Sequence, residues 1–158
     1  EGGQLGQLGA LVLASALASL VSSYVWGRLS DMSSRRVLML TGIVGALAMA
    51  LAVGLWFLGM AQAVWAMPGV LFILMIAYHG VRQGRSTYLV DMAPKDQRAA
   101  YAAVSNTVIG LLLLLAGVLG GGAALIGAQA TLMLFAVMAV AAAVLAHWLP
   151  EVEHLSED

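Results

Sequence analysis

Cysteine is absent from the 158 residues, which excludes disulfides, thiolate metal ligands and a cysteine nucleophile. Charge is scarce as well: Asp, Glu, Lys and Arg make up 9% of the chain, against about 25% in an ordinary soluble domain. A water-soluble fold is therefore excluded. Histidine occurs only at His79, His147 and His154. Neither Gly-x-Ser-x-Gly nor His-Glu-x-x-His is present, so no catalytic set, no metal cluster and no cofactor is expected. Nor is there a block of basic residues to hold nucleic acid. The opening Glu1-Gly2-Gly3-Gln4 is not the basic start of a signal peptide.

What remains is apolar. Hydrophobic residues make up 62% of the chain and the mean hydropathy is +0.96. At about 20 residues per crossing, the length holds five or six spans. The apolar runs predict five, at residues 5–26, 37–58, 68–90, 99–119 and 127–149. The expected fold is thus all-α and integral to the membrane, with a polar, acidic tail at 151–158. Proline marks the breaks: Pro68 is expected to open the third helix, and Pro94 disfavours a helical Ala93. Gly120-Gly121-Gly122 is expected to end the fourth helix. The first helix carries two rows of small residues, Ala10/Ala14/Ala18/Ser22 and Ser15/Ser19/Ser23, a pattern that lets helix backbones approach closely. Tyr24 and Trp26 are expected at the depth where amphipathic rings favour the membrane surface.

Charge placement orients the chain. Arg28, Arg35 and Arg36 lie in or beside the first connection, and Arg82, Arg85, Lys95 and Arg98 in or beside the third. The second and fourth connections carry no Lys or Arg. Basic residues gather on the cytoplasmic side, so the first and third connections and the C-terminus are expected there. The N-terminus would then lie outside, which together with the lack of an initiator Met suggests a piece of a longer protein.

Arg82 and Arg85 allow two readings. Arg82 precedes Asp91 by nine residues, or ~13 Å along a helix, which would set it near the middle of a ~30 Å hydrocarbon core. A charge there normally faces a cavity or a partner and marks a substrate path. Tyr78, Arg82 and Arg85 share a helix face, with His79 and Ser86 on its flank. Such a stripe suits an anionic or hydrogen-bonding solute. In the other reading the span ends near Gly80 and both arginines are plain cytoplasmic charges. His79 is of the residue type that exchanges a proton near neutral pH, or is a packed polar residue. Asn106, with Ser105 and Thr107, either lines a cavity from the fourth helix or hydrogen-bonds between helices.

The first connection, Gly27-Arg28-Leu29-Ser30-Asp31-Met32-Ser33-Ser34-Arg35-Arg36, resembles the cytoplasmic loop signature of major facilitator superfamily transporters. Met32 stands where a basic residue is usual in that family, and Ser34 where glycine is usual. The stretch from Tyr88 to Tyr101, with Asp91, Pro94, Asp96 and Arg98, is similar to a second feature of the family, and Leu149-Pro150-Glu151 fits as well. The resemblance implies part of a twelve-helix bundle, helices eight to twelve in preference to two to six, in a bacterial inner membrane. It also implies a small-molecule substrate, a coupled proton or sodium ion, and a missing N-terminal half of the same transporter. Gly27, Asp31, Arg35, Arg36, Asp91 and Arg98 become a cytoplasmic gating network in which Asp31 meets a helix N-terminus of the other half and Arg35 or Arg36 pairs with Asp91. The family's spacing, which ends the third helix near the Asp, favours the cavity reading of Arg82. Two other functions stay open from the residues themselves: a small structural or assembly subunit of a membrane complex, and a membrane-embedded enzyme.

Overall fold

The computed structural model describes residues 2–152. Five α-helices follow one another, α1 (Gly2–Ser30), α2 (Ser34–Phe57), α3 (Ala66–Met92), α4 (Arg98–Ala124) and α5 (Ala128–His147), and no strand occurs among the described residues. The expected tail beyond Val152 lies outside them. Four helices, over Leu8–Ser30, Ser34–Phe57, Arg98–Ala124 and Ala128–His147, are long and apolar enough to cross a membrane. α3 has comparable length, but Arg82, Gln83, Arg85 and Asp91 crowd its C-terminal half.

The helix ends follow local chemistry. Ser33 caps α2 in an extended conformation (φ −169°, ψ 106°), its hydroxyl accepting from the Arg36 backbone N–H. This satisfies one of the N–H groups that a helix start leaves without a partner. At the other end of α2, the Gly59 N–H reaches Trp56 O and the Met60 N–H reaches Leu55 O. These are the paired bonds of a Schellman stop, and Gly59 takes the left-handed φ of +70° that the stop needs. Ala93 is extended (φ −86°, ψ 131°) before Pro94 and ends α3.

The first hinge is shorter than expected, with α1 running on to Ser30 instead of stopping at residue 26 and α2 starting at Ser34 instead of residue 37. Two further ends differ as well. α3 begins at Ala66 rather than at Pro68, because a proline anywhere in the first turn gives up an N–H with no helical acceptor. α4 runs through Gly120-Gly121-Gly122 to Ala124. Gly120 sits under the Phe135 ring, whose Cζ would lie 2.7 Å from an added Cβ. The break comes instead at Gly127, with φ +144°.

α2 is the hub, packing most extensively on α3 and α5, while α1 packs chiefly on α3. Small residues set these approaches. A Cβ on Gly42 would meet Ala139 O and Ala143 Cβ of α5, both at 2.9 Å, and one on Gly84 would meet Val37 Cγ1 at 2.9 Å. With lipid tails as apolar as the side chains, close backbone approach supplies the dispersion that holds such helices together. α4 is the outlier. It touches α5 and the end of α3, and nothing in its most apolar window is buried. Leu111 through Leu115 all face outward.

Candidate functional site

The seating of α3 decides which of its residues line a site. Ala77, Gly80 and Gly84 are its buried positions in this region and recur at helical spacing, so they form the face turned to α1 and α2. Trp26 enters at Gly80. The indole is 5% exposed, and its Nε1–H donates to Ile76 O at 2.8 Å. Trp26 thus turns inward between helices instead of presenting its ring on the outside of the bundle. The missing Cβ of Gly80 leaves it room between helices, whereas Tyr24 remains exposed.

With that face fixed, the next face of α3 looks along α1. His79, Arg82, Gln83 and Ser86, at i, i+3, i+4 and i+7, join Ser22, Ser23, Trp26 and Gly27 of α1 around a cleft of about 310 Å3. Arg82 and His79, expected at a site, are in its wall. Tyr78 and Arg85 are not among the lining residues, and neither is Asn106 of α4. Tyr78 instead sets its ring edge-on to His79, centroids 5.4 Å apart. Asn106 is exposed, while its neighbour Ser105 lines an apolar groove between α3 and α4 with Leu89, Met92, Ala100, Tyr101 and Val104.

Sequence reasoning missed Gln83, Ser22, Ser23 and Trp26 as lining residues. Gln83 had a signal, being one turn beyond His79. The two serines read only as small packing residues. They behave differently from each other: the Ser23 hydroxyl donates back to Ser19 O at 2.9 Å, as helical serines commonly do. Ser22 is 1% exposed, and its Oγ has no hydrogen-bond partner among the described residues. Leaving a buried hydroxyl unpaired costs about 1–3 kcal/mol, so this position carries a cost that an alanine would not. Arg82 is exposed and makes no ion pair or hydrogen bond with a described residue. It is the one formally charged residue in the cleft wall.

A second cluster pins the segment after α5 to the first hinge. Arg35 Nη2 pairs with Glu151 Oε1 at 2.7 Å, and Ser33 Oγ donates to Glu151 Oε2 at 2.8 Å. Arg35 Nη1 reaches the carbonyls of His147 at 3.4 Å and Leu149 at 3.3 Å, long and correspondingly weak bonds. The Tyr88 hydroxyl donates to Pro150 O at 3.2 Å, and Val152 is buried. Glu151 thereby brings an anion to the N-terminus of α2, whose first turn holds two arginines and no acid. The helix dipole favours the anion there. Of the two arginines expected to pair with Asp91, Arg35 makes its ion pair with Glu151. Arg36 and Asp31 are exposed, Asp91 and Arg98 half-buried, and Gly27 borders the cleft. No group of three or more His, Cys, Asp or Glu able to hold a metal ion occurs among the described residues.

No curated protein and no solved structure matches the chain. The model of the Major Facilitator Superfamily matches it from residue 2 to residue 158, and the chain belongs to that superfamily of multi-pass membrane transporters, which move small molecules across the lipid bilayer.

Proposed function

We propose that this chain works as part of a secondary active transporter that carries a small solute by alternating access, with the α1/α3 cleft contacting the solute. The observation that carries the reading is the coincidence of the cleft with the charged end of the bundle. All seven basic residues lie in or beside the connections at that end, and the Arg82 cleft sits among them. In this reading the α1–α2 and α3–α4 connections and the segment after α5 face the cytoplasm of a bacterial cell, where basic residues concentrate. The five helices correspond to helices eight to twelve of a twelve-helix bundle, and the outward face of α4 meets the remainder. Rocking of one half against the other exposes the site alternately to each side, driven by a coupled proton or sodium ion. Arg35, Ser33 and Glu151 hold the first hinge on the cytoplasmic end of α5 in one of those two states.

Two measurements test this. The chain has no cysteine, so Met32→Cys, Lys95→Cys and Gln62→Cys, each placed in the native protein with any cysteine outside these 158 residues replaced by serine, can be probed in intact cells with a membrane-impermeant maleimide. Gln62→Cys should label from outside, and the other two only after the membrane is opened. The reverse pattern overturns the orientation. For transport, cells carrying the native gene should show a saturable solute flux that a deletion strain lacks. Arg82→Ala should abolish that flux while the protein still reaches the membrane, and a flux indifferent to Arg82 removes the cleft from the mechanism.

A further inference from the structure

We infer that the solute of the α1/α3 cleft is a small organic monoanion, held through a carboxylate. This rests on the transport reading above and adds the chemical class. The wall supplies donors: the guanidinium of Arg82, the amide of Gln83, the imidazole of His79 and the hydroxyls of Ser22 and Ser86, whereas the one O–H of Ser23 is already given to Ser19 O. No carboxylate is among the lining residues, so an incoming anion meets no like charge. A guanidinium offers a planar pair of N–H groups that matches a carboxylate in a two-point contact. One arginine also sets the charge: it neutralises a monoanion, whereas the second charge of a dianion would meet no second cation in the wall.

Ser22 adds a polar group beneath the same wall. Its hydroxyl is buried with no partner among the described residues, which is costly in the empty site and is repaid once the wall gives enough for a ligand atom to reach it. Size follows from volume. At roughly 30 Å3 for each water-sized group, the 310 Å3 cleft holds about ten non-hydrogen atoms. The floor is fixed in shape, because Trp26 is buried and bonded to Ile76 O. Gly27 adds room, since a Cβ there would meet nothing within 4 Å.

The test uses the native gene product purified in detergent, warmed with millimolar lactate, pyruvate or benzoate, the matching amides lactamide and benzamide, and the dianion succinate. The monocarboxylates should raise the unfolding temperature, while the amides and succinate should not. Arg82→Gln should weaken carboxylate binding at least tenfold, consistent with loss of a charge-assisted bond. Arg82→Lys should keep part of it, and Arg85→Gln should leave it within about twofold, as Arg85 lies outside the wall. Ser22→Ala separates a ligand contact from a packing role. It should raise the unfolding temperature of the unliganded protein, by removing the unpaired hydroxyl, and yet weaken carboxylate binding by about three- to tenfold. Absence of a shift with every monocarboxylate, equal shifts with the amides, or binding that survives Arg82→Gln overturns the inference. Uptake of the same labelled carboxylates into proteoliposomes separates the two readings. Arg82-dependent binding without uptake leaves the anion site standing and removes the transport role of the cleft. Arg82-dependent uptake of a neutral solute, without carboxylate binding, does the reverse.

Discussion

Replacing Gly80 by alanine adds one methyl group where α1, α2 and α3 meet. Its Cβ would overlap Thr41 Cγ2 and lie 2.6 Å from Trp26 Cε2 and 2.8 Å from Trp26 Nε1, where carbon atoms rest at about 3.5–4.0 Å. Neither neighbour can yield easily. Thr41 is 1% exposed, β-branched and tied through its hydroxyl to Leu38 O at 3.0 Å, which leaves it few rotamers. Trp26 is buried and bonded to Ile76 O. The helices must therefore separate. Overpacking of this kind costs about 1–3 kcal/mol, and loss of the indole bond adds about 1 kcal/mol. Better helix propensity of alanine offsets about 1 kcal/mol, which leaves a net loss of ~1–3 kcal/mol. Gly54→Ala is the control, because a Cβ there meets nothing within 4 Å. It keeps the propensity gain alone and should stabilise by ~0.5–1 kcal/mol. Denaturant unfolding of the native gene product in mixed micelles compares the two variants directly. If Gly80→Ala proved as stable as Gly54→Ala, the seating of α3 described above would be wrong, and the cleft that depends on it would go too.

Other variants test separate parts of the structure. A double-mutant cycle on Arg35→Gln and Glu151→Gln should give a coupling energy of about 1 kcal/mol, at the upper end of the range for exposed pairs because both side chains are only partly exposed. Additive losses would show that the pair does not hold the hinge. Trp26→Phe should cost about 1 kcal/mol for the lost bond to Ile76 O, read by thermal unfolding, and no loss would show that the indole bond contributes nothing. Gly27→Leu should stabilise by roughly 0.5–1 kcal/mol through helix propensity, since nothing lies within 4 Å of its Cβ, yet reduce solute binding by filling the cleft. A drop in stability without a change in binding would contradict this.

How far the chain could be read beforehand depended on the range of the interaction. Runs of apolar residues long enough to cross a bilayer need no knowledge of their neighbours, so the helical membrane fold was legible. The stop at Ala93 was too, because Pro94 acts on the residue beside it. Rotation about the helix axis was not legible. Periodicity put Tyr78, Arg82 and Arg85 on one face, but which face of α3 met α1 was decided by the contacts of Gly80 and Gly84 with residues of α1 and α2. The cleft therefore takes Arg82 with His79, Gln83 and Ser86 instead. Serine spacing marked Ser22 as a packing residue, and only its surroundings show that its hydroxyl has no partner among the described residues. The pairing of Arg35 with Glu151 joins residues on opposite ends of the sequence, beyond the reach of any local pattern.

That pairing also imposes an order in time. Ser33 and Glu151 are 118 positions apart, and at about 5–20 residues per second of synthesis the hinge waits roughly 6–24 s for its partner. During that interval Arg35 has water and anionic lipid headgroups to attract it, and the helices before α5 are already free to meet. The bond to Glu151 can form only once the last of the five helices has been made and the segment after it has emerged. A hinge fastened in this way records that the ribosome has passed α5, and an interrupted chain leaves it open.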